Sequence, residues 1–240
     1  MVTLPEAVSS EIAMSGVYEA ALTILLVQML EPGSVFFDIG AHRGYFTLLA
    51  ARLVGATGQV HAFEPTPGTF RMLQENTSHL PQIKLNQKAV YRETTTLTLH
   101  DFGLEAPAFN SIYSPRLSAA EQAAMKCKDI QVASVSLDEY VQETGVKPDF
   151  IKIDAESAEA DILEGMRNLI RSVRPAFTLE TGDVTEDKMG CTRKLVDFAC
   201  SFGYVPIDIA EGTMKIHQPA ARYDYGNLLF VAKEKARAAR

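Results

Sequence analysis

The segment from Val35 to Ala51, VFFDIGAHRGYFTLLAA, constrains the fold more than any other part of the chain. It begins with a β-prone apolar run, continues through Asp38 and two glycines, and ends in residues that are apolar at helical spacing. Glycines let the backbone turn tightly and approach a ligand closely. The segment therefore predicts a buried strand, a tight turn and a helix whose free N–H groups face a ligand.

The turn also indicates which ligand binds there. No lysine follows Gly44, as a phosphate-binding P-loop requires, and Asp38 replaces the first glycine of a dinucleotide fingerprint. A carboxylate at this position repels a pyrophosphate and suits a ligand with positive charge, such as the ammonium and sulfonium groups of S-adenosylmethionine. The pattern D-x-G-x-x-x-G after a strand therefore favours that cofactor. The alternative is an ordinary strand–helix turn, in which Gly and Asp are common.

Composition and cysteine usage bound the class of protein. The 240 residues carry a formal net charge of −7 and are 47% hydrophobic, so we expect a packed core and no nucleic-acid partner. Cys127, Cys191 and Cys200 lack C-x-x-C spacing and suit a reducing compartment, which predicts a cytoplasmic protein. The first residues show no signal-peptide pattern, and the longest apolar stretch, residues 20–30, is too short for a membrane span.

Strand and helix patterns alternate along the whole chain. We predict a helix from Tyr18 to Leu30 that either caps the site or pairs with a second subunit in a homodimer. Residues 102–128 are poorly patterned and predict a loop or cap over the site. The alternation predicts one α/β domain over residues 1–240, with a helical segment at 1–32 and helices on both faces of a parallel sheet. The predicted strands lie at 35–39, 59–64, 83–86, 150–153, 176–180, 204–209 and 228–232, with further strand character at 97–100.

Ligands of parallel α/β sheets bind beyond the carboxyl ends of the strands. Glu64 occupies such a position, 24 residues after Gly40, and an acidic residue at about this spacing commonly binds the two hydroxyls of a ribose. A ribose-containing ligand is therefore expected at this edge. The polar residues at the predicted strand ends are Asp38, Glu64, Asn86, Asp154 and Glu180.

Three further residues are candidates for the chemistry. Asp154 ends a buried strand, where a carboxylate needs a partner such as a ligand ammonium or a substrate hydroxyl. Glu156 is close enough to share that site, whereas Glu159 and Asp161 fit the first turn of the next helix. His42 lies inside the glycine turn, where its imidazole can face a substrate. The chain lacks a G-x-S-x-G elbow and a metal-binding histidine pair, which weakens hydrolase and zinc hypotheses.

Three blocks follow one another in order along the chain: DIGAHRGYFTLLAA, HAFEP and SLDEYV…DFIKIDAESAEADILEG. Together they resemble the FkbM family of S-adenosylmethionine-dependent methyltransferases, and the resemblance runs from about Tyr18 to Glu180. It implies a Rossmann-like class I methyltransferase fold, with a mostly parallel sheet of seven strands whose last strand is antiparallel. It also implies methyl transfer to hydroxyl oxygens of sugars, polyketides or other small molecules.

The resemblance further implies a cofactor site, in which Asp154 faces the methionine amine or the acceptor. Two departures from the usual family sequence lie next to the expected reaction centre: His42 replaces an asparagine and Ser157 replaces a glycine. The residues implied to hold S-adenosylmethionine are Asp38, Gly40, Ala41 and Gly44 around the methionine, Glu64 at the ribose, Ala89 and Val90 at the adenine, and Tyr45 elsewhere along the cofactor.

The sequence thus predicts an O-methyltransferase that works by in-line displacement on the sulfonium carbon, with a small-molecule hydroxyl as acceptor. Asp154, Glu156 and His42, in that order, are the candidates to take the hydroxyl proton. The main hypothesis contains no metal. The acceptor pocket is expected to be shaped by residues 102–128 and 181–190, since loops carry specificity on such scaffolds.

Three alternatives stay open at this point. A variant of the same reaction adds a divalent cation held by Asp154, Glu180 and Asp183, which would acidify the acceptor hydroxyl. A cofactor-binding module without turnover is a rival, because His42 and Ser157 depart from the usual family sequence. A nicotinamide-dependent oxidoreductase is a third hypothesis, opposed by Asp38 at the first glycine position.

Overall fold

Eleven strands form two sheets in the computed structural model, which describes residues 7–104, 106–113, 126–183, 191–210 and 213–236. The strands are β1 (Val35–Ile39), β2 (Gln59–Phe63), β3 (Ile83–Asn86), β4 (Ala89–Val90), β5 (Thr96–Asp101), β6 (Lys128–Val135), β7 (Phe150–Ile153), β8 (Ala176–Thr181), β9 (Tyr204–Ala210), β10 (Thr213–Ile216) and β11 (Gly226–Ala232). Eight of them make the main sheet, in the order β10–β9–β11–β8–β7–β1–β2–β3.

The main sheet confirms the predicted Rossmann-like architecture. Strands β1, β2, β3, β7 and β8 are parallel, and β11, the last strand, runs antiparallel to both β8 and β9. The sheet has one strand more than the seven expected, because the chain turns back after β9 and adds β10 at the edge. Strand β10 was not predicted from the sequence.

Nine helices lie within the described residues: α1 (Ala7–Ser15), α2 (Ala20–Met29), α3 (Tyr45–Val54), α4 (Pro67–Thr77), α5 (Leu137–Thr144), α6 (Glu159–Glu164), α7 (Arg167–Ser172), α8 (Cys191–Ser201) and α9 (Lys233–Ala236). The helix expected to follow β7 is split at Gly165, where a Cβ atom would lie only 2.3 Å from the carbonyl oxygen of Tyr91. Within these residues no single helix is long and apolar enough to cross a membrane. Helices α1 and α2 together reach that length and apolar composition, but they are bent by 78° relative to each other.

The core is divided between the two faces of the main sheet. Phe36 and Phe37 are neighbours on β1, so their side chains point to opposite faces. Phe36 packs with Leu22, Leu25 and other residues on one face, whereas Phe37 belongs to a larger cluster on the other. Both phenylalanines are 0% exposed, which confirms that β1 is a strand covered on both faces.

A second sheet of three strands, in the order β4–β6–β5, lies beside the main one. The strand expected at 97–100 belongs to this sheet, where β5 pairs antiparallel with β6. Strand β4 pairs parallel with β6 and carries Ala89 and Val90. The predicted cap at 102–128 falls between β5 and β6, and residues 105 and 114–125 of it lie outside the described residues.

Candidate active site

A cavity of about 360 Å³ opens at the carboxyl edge of the parallel strands. Its wall is built from the loop between β1 and α3, the ends of β2 and β7, strand β4 and one face of α1. Nine predicted site residues line it together: Gly40, Ala41, His42, Tyr45, Glu64, Ala89, Val90, Asp154 and Glu156. Gly44, also predicted, is not among the lining residues. The topology therefore brings most of the predicted site to one place, as the strand-end rule for parallel sheets requires.

Residues 40–44, here called the glycine loop, are held close to the segment after β7. A Cβ atom on Gly40 would lie 1.8 Å from the carbonyl oxygen of Asp154, so only glycine fits. Gly40 and Ala41 both donate their N–H groups to the carbonyl of Phe63, at 3.1 and 3.0 Å. His42 has a φ of 51°, a left-handed conformation that costs a non-glycine residue about 1 kcal/mol or more. The loop thus has a strained backbone on the cavity wall.

Glu64 is a nearly buried carboxylate on the cavity wall, with 7% of its surface exposed. Its Oε2 accepts from the backbone N–H of His42 at 3.1 Å, and Oε1 accepts from that of Thr66 at 2.9 Å. Burial raises the pKa of this carboxyl to about 7, against the opposing effect of those hydrogen bonds. The Thr66 hydroxyl also bonds to this carboxylate, which offers about four lone-pair positions, so capacity remains for a ligand hydroxyl.

A buried lysine, Lys152, lines the cavity between two carboxylates. It is 2% exposed and is the register partner of Asp38 across β1 and β7. Its Nζ lies 3.0 Å from Asp154 Oδ2 and 3.7 Å from Asp38 Oδ1, and it donates to the Gly40 carbonyl at 3.5 Å. Burial alone would lower the pKa of this ammonium, but the charges of Asp154 and Asp38 raise it above its ordinary value. The two carboxylates therefore favour the charged form of Lys152.

The position of Asp38 corrects one prediction. Its side chain is 0% exposed and accepts a 2.6 Å hydrogen bond from Thr47, in addition to its contact with Lys152. Burial raises the pKa of the Asp38 carboxyl, and the Lys152 charge acts against that rise. Asp38 is therefore buried beneath the cavity wall and does not line the cavity, and it contacts the site through Lys152.

Asp154, Glu156 and Glu180 form what we call the carboxylate cluster, in which one oxygen of each lies within 4.8 Å of the others. Glu180 is 3% exposed and hydrogen-bonds to the Tyr225 hydroxyl. Glu156 has a φ of 46°, which turns the backbone sharply after β7. Three neighbouring carboxylates can accept hydroxyl protons or hold a cation.

Asp183 does not belong to the carboxylate cluster, contrary to the metal-binding variant. It is 2% exposed, and its carboxylate accepts from the backbone N–H groups of Thr192 and Tyr223, at 3.2 and 3.1 Å. These bonds fix the start of α8 and the chain before β11. Glu156 takes the place expected of Asp183 beside the other two carboxylates.

A sequence profile of the Methyltransferase FkbM domain matches residues 38–206, more than half of the chain. The chain belongs to the FkbM methyltransferase family. This membership confirms the predicted family and its cofactor, S-adenosylmethionine. The matched residues begin at Asp38 and include the glycine loop, Glu64 and Asp154, so the family match covers the described cavity wall except for the face of α1.

Two curated FkbM-type relatives and one solved structure show how far the likeness extends. Hexuronic acid methyltransferase AglP of Haloferax volcanii is 28% identical over 152 residues, covering 62% of this chain and 56% of that protein. The 31-O-demethyl-FK506 methyltransferase FkbM of Streptomyces tacrolimicus is 28% identical over 223 residues, covering 82% of this chain and 84% of that protein. Methyltransferase FkbM from Methylobacillus flagellatus shares the fold, with a TM-score of 0.52 at 14% identity over 87% of this chain and 50% of that one. The chain thus spans about half the length of some of these proteins.

The residues of this FkbM-family cavity fit S-adenosylmethionine. Glu64 has two oxygens tied to the backbone and capacity left for a hydroxyl of a ribose. Ala89 and Val90 are 7% and 4% exposed and give an apolar wall beside it, suited to an adenine ring. Asp154, at the opposite side of β1, is placed for the methionine ammonium or the acceptor. When bound, the cofactor supplies a methyl group on a positively charged sulfur.

Lys152 is the site residue that the sequence analysis missed. The signal was present, because the run Phe150–Ile153 places one lysine in a strand otherwise made of large apolar residues. A lysine is almost never fully buried unless it is paired, so a lysine in a buried strand indicates a carboxylate partner. The identity of that partner required the pairing of β1 with β7.

Proposed function

We propose that this chain transfers the methyl group of S-adenosylmethionine to a hydroxyl oxygen of a small molecule such as a sugar, a polyketide or another natural product. The observation that carries the proposal is one cavity lined by Glu64 after β2 and by Asp154 and Glu156 after β7, on either side of β1. The relatives named for a hexuronic acid and for 31-O-demethyl-FK506 support a small-molecule acceptor.

The reaction needs positioning more than covalent help from the protein. The acceptor oxygen forms a bond to the methyl carbon as the bond from that carbon to sulfur breaks, which leaves S-adenosylhomocysteine, a methyl ether and one proton. Because the methyl group is already activated, alignment of the acceptor supplies much of the rate. The glycine loop and the segment after β7 touch at Gly40, so cofactor and acceptor are held by parts of the chain in direct contact.

Asp154 is the proposed acceptor of the hydroxyl proton. It lines the cavity with 23% of its side chain exposed, and Lys152 binds its Oδ2 at 3.0 Å. That contact fixes the carboxylate and leaves Oδ1 for the acceptor hydroxyl. Glu156, within the same cluster, and His42, on the glycine loop, follow in that order.

The remaining features of the proposal concern partners and compartment. The net charge of −7 and the acidic cavity argue against a nucleic-acid substrate. The free thiols of Cys127 and Cys200 support a reducing compartment such as the cytoplasm. Ile24 and Val27, 36% and 53% exposed on α2, support that helix as the candidate for pairing with a second subunit.

Two measurements test the proposed function. Calorimetry with S-adenosylhomocysteine tests the cofactor, and methyl transfer from labelled S-adenosylmethionine to a panel of hydroxylated acceptors tests turnover. We expect Asp154→Asn to lower kcat by about 10²-fold or more, with cofactor affinity retained within a few-fold. Asp197→Asn, at an exposed ion pair on α8, is the matched control and should leave both quantities unchanged.

The outcomes separate the alternatives. If the folded protein does not bind S-adenosylhomocysteine at about millimolar concentration, the proposed cofactor site is wrong. Binding without transfer across the whole panel would favour a module without turnover. Full activity after treatment with EDTA would exclude the divalent cation on the carboxylate cluster, whereas activity restored by Mg²⁺ would support it.

A further inference from the structure

Arg43 connects the glycine loop to two other parts of the chain. It is 6% exposed, although arginine is almost never buried without bonded partners. Its Nη1 donates to Ser9 Oγ on α1 at 2.9 Å, and its Nη2 donates to the carbonyl of Leu104 at 2.8 Å. Its own carbonyl accepts from Asn76 Nδ2 on α4, also at 2.8 Å. One residue of the loop thus holds α1 and the chain after β5, and is itself held by α4.

Helix α1 covers the cavity with little packing of its own. Among residues 8–15, Ser9 alone is buried, at 2% exposure, and it is the residue that Arg43 binds. Val8 and Ile12 line the cavity, whereas Met14 on the outer side is 83% exposed. A helix that buries so little apolar surface depends on polar contacts for its position.

The chain after β5 forms another part of the cover. Pro107 and Asn110 line the same cavity a few residues beyond Leu104, and the Asn110 amide donates to the Thr66 hydroxyl at 3.2 Å. The carbonyl of Leu104 faces the guanidinium of Arg43. The two hydrogen bonds of that guanidinium therefore act on two separate pieces of the cover from a single point on the glycine loop.

We propose that Arg43 is a positioning residue for the cofactor: it closes the cavity over S-adenosylmethionine by fastening α1 and the segment at Leu104 to the glycine loop. The proposal rests on the cofactor assigned to this cavity. Arg43 acts through its neighbours, so its loss opens the cover and speeds departure of the cofactor. The methyl-transfer step itself, at the carboxylate cluster, is left intact once the cofactor is bound.

The test compares Arg43→Ala and Ser9→Ala with Arg52→Ala, an exposed arginine on α3 that serves as the control. Arg43→Ala removes two bonds to a charged donor, so the Kd for S-adenosylhomocysteine and the KM for S-adenosylmethionine should rise at least tenfold. We expect kcat at saturating cofactor to change less than about threefold. Ser9→Ala removes one of the bonds and should raise the same Kd about threefold. Millimolar guanidinium should restore part of the affinity of Arg43→Ala and have no effect on Arg52→Ala.

Three results would overturn the proposal. One is wild-type affinity for S-adenosylhomocysteine in Arg43→Ala. Another is a fall in kcat as large as the rise in KM, without rescue by guanidinium, which indicates general damage to the fold. If Arg43→Ala does not fold, unchanged affinity in the milder Ser9→Ala variant would decide against it. Binding of S-adenosylhomocysteine to the wild-type protein is measured first, without any acceptor. If no binding is found, the cofactor assignment is wrong as well.

Discussion

Glu64 should make the cofactor affinity of this protein depend on pH. Burial places the pKa of its carboxyl at about 7 in the ligand-free protein. An ionised carboxylate accepts a ribose hydroxyl, whereas the protonated form turns one oxygen into a donor. Cofactor binding therefore favours the ionised form. At pH 7, where about half of the carboxyls are protonated, binding should release about half a proton per site.

The magnitudes follow from the same pKa. The ionised fraction falls about tenfold between pH 8 and pH 6, so the affinity for S-adenosylhomocysteine should fall by about the same factor. In the ligand-free protein, the ionisation of Glu64 lowers the free energy of unfolding as pH rises. A salt-bridged acid, whose pKa is lowered by folding, has the opposite effect. The folded state binds more protons than the unfolded one between the ordinary pKa of 4.5 and about 7. The free energy of unfolding should therefore fall by about 3 kcal/mol as pH rises through that window, at 1.36 kcal/mol per pH unit.

The Glu64→Gln variant isolates this effect. It should bind S-adenosylhomocysteine more weakly than wild type at pH 8, with little pH dependence beyond that of the ligand itself, and be more stable than wild type above pH 7. Calorimetry at pH 6, 7 and 8, in two buffers that differ in ionisation enthalpy, gives both affinity and proton release. Wild-type affinity that is equal at pH 6 and pH 8, or an identical slope in Glu64→Gln, would refute the reasoning.

Three further changes have outcomes set by the geometry. Gly40→Ala places a Cβ 1.8 Å from the Asp154 carbonyl, so it should abolish S-adenosylhomocysteine binding and lower the Tm, whereas Gly145→Ala, where no atom lies within 4 Å, should leave binding unchanged. Lys152→Met leaves Asp38 without its buried cation and should lower the free energy of unfolding, measured by urea titration, by about 3–5 kcal/mol. The double variant with Asp38→Asn should recover part of this free energy, and no recovery would show that the two charges are not coupled. A neutral sugar should be methylated at least tenfold faster than its uronate, because a second carboxylate is repelled by the carboxylate cluster; equal kcat/KM values would argue against acceptor binding there.

The sequence predicted features that depend on local chemistry. The spacing of Glu64 from Gly40 was enough to bring an acidic residue to the cavity beside the glycine loop, because both follow adjacent parallel strands. The sequence did not predict the role of Lys152, because the carboxylates near it are known only once β1 and β7 pair in register. Strand propensity at 97–100 was correct as well, but propensity does not specify a partner strand, and β5 joined the smaller sheet.

The error at Asp183 has a different physical origin. Asp183 is only three residues beyond Glu180, so sequence distance favoured a shared site. The backbone turns at Gly182, with a φ of 156°, and directs Asp183 toward the N–H groups of Thr192 and Tyr223. Unpaired N–H groups at a helix start compete strongly for a carboxylate. A carboxylate near a strand end can therefore cap a helix as well as line an active site. Which of the two it does depends on the backbone conformation directly after the strand.

The pairing of β5 with β6 has a consequence for engineering. Asp101 and Lys128 are the last register pair of β5 and β6, and among the described residues between them Ser111 pairs back with His100 on β5. Strand β6 holds β4, and with it Ala89 and Val90, independently of what is inserted there. The segment can thus be exchanged as a cassette, with Arg43 and its bond to Leu104 as the junction to preserve. Libraries in this segment that keep Leu104 and the cavity-lining residues 107–112 unchanged should change which molecules are methylated while the cofactor half of the protein stays constant.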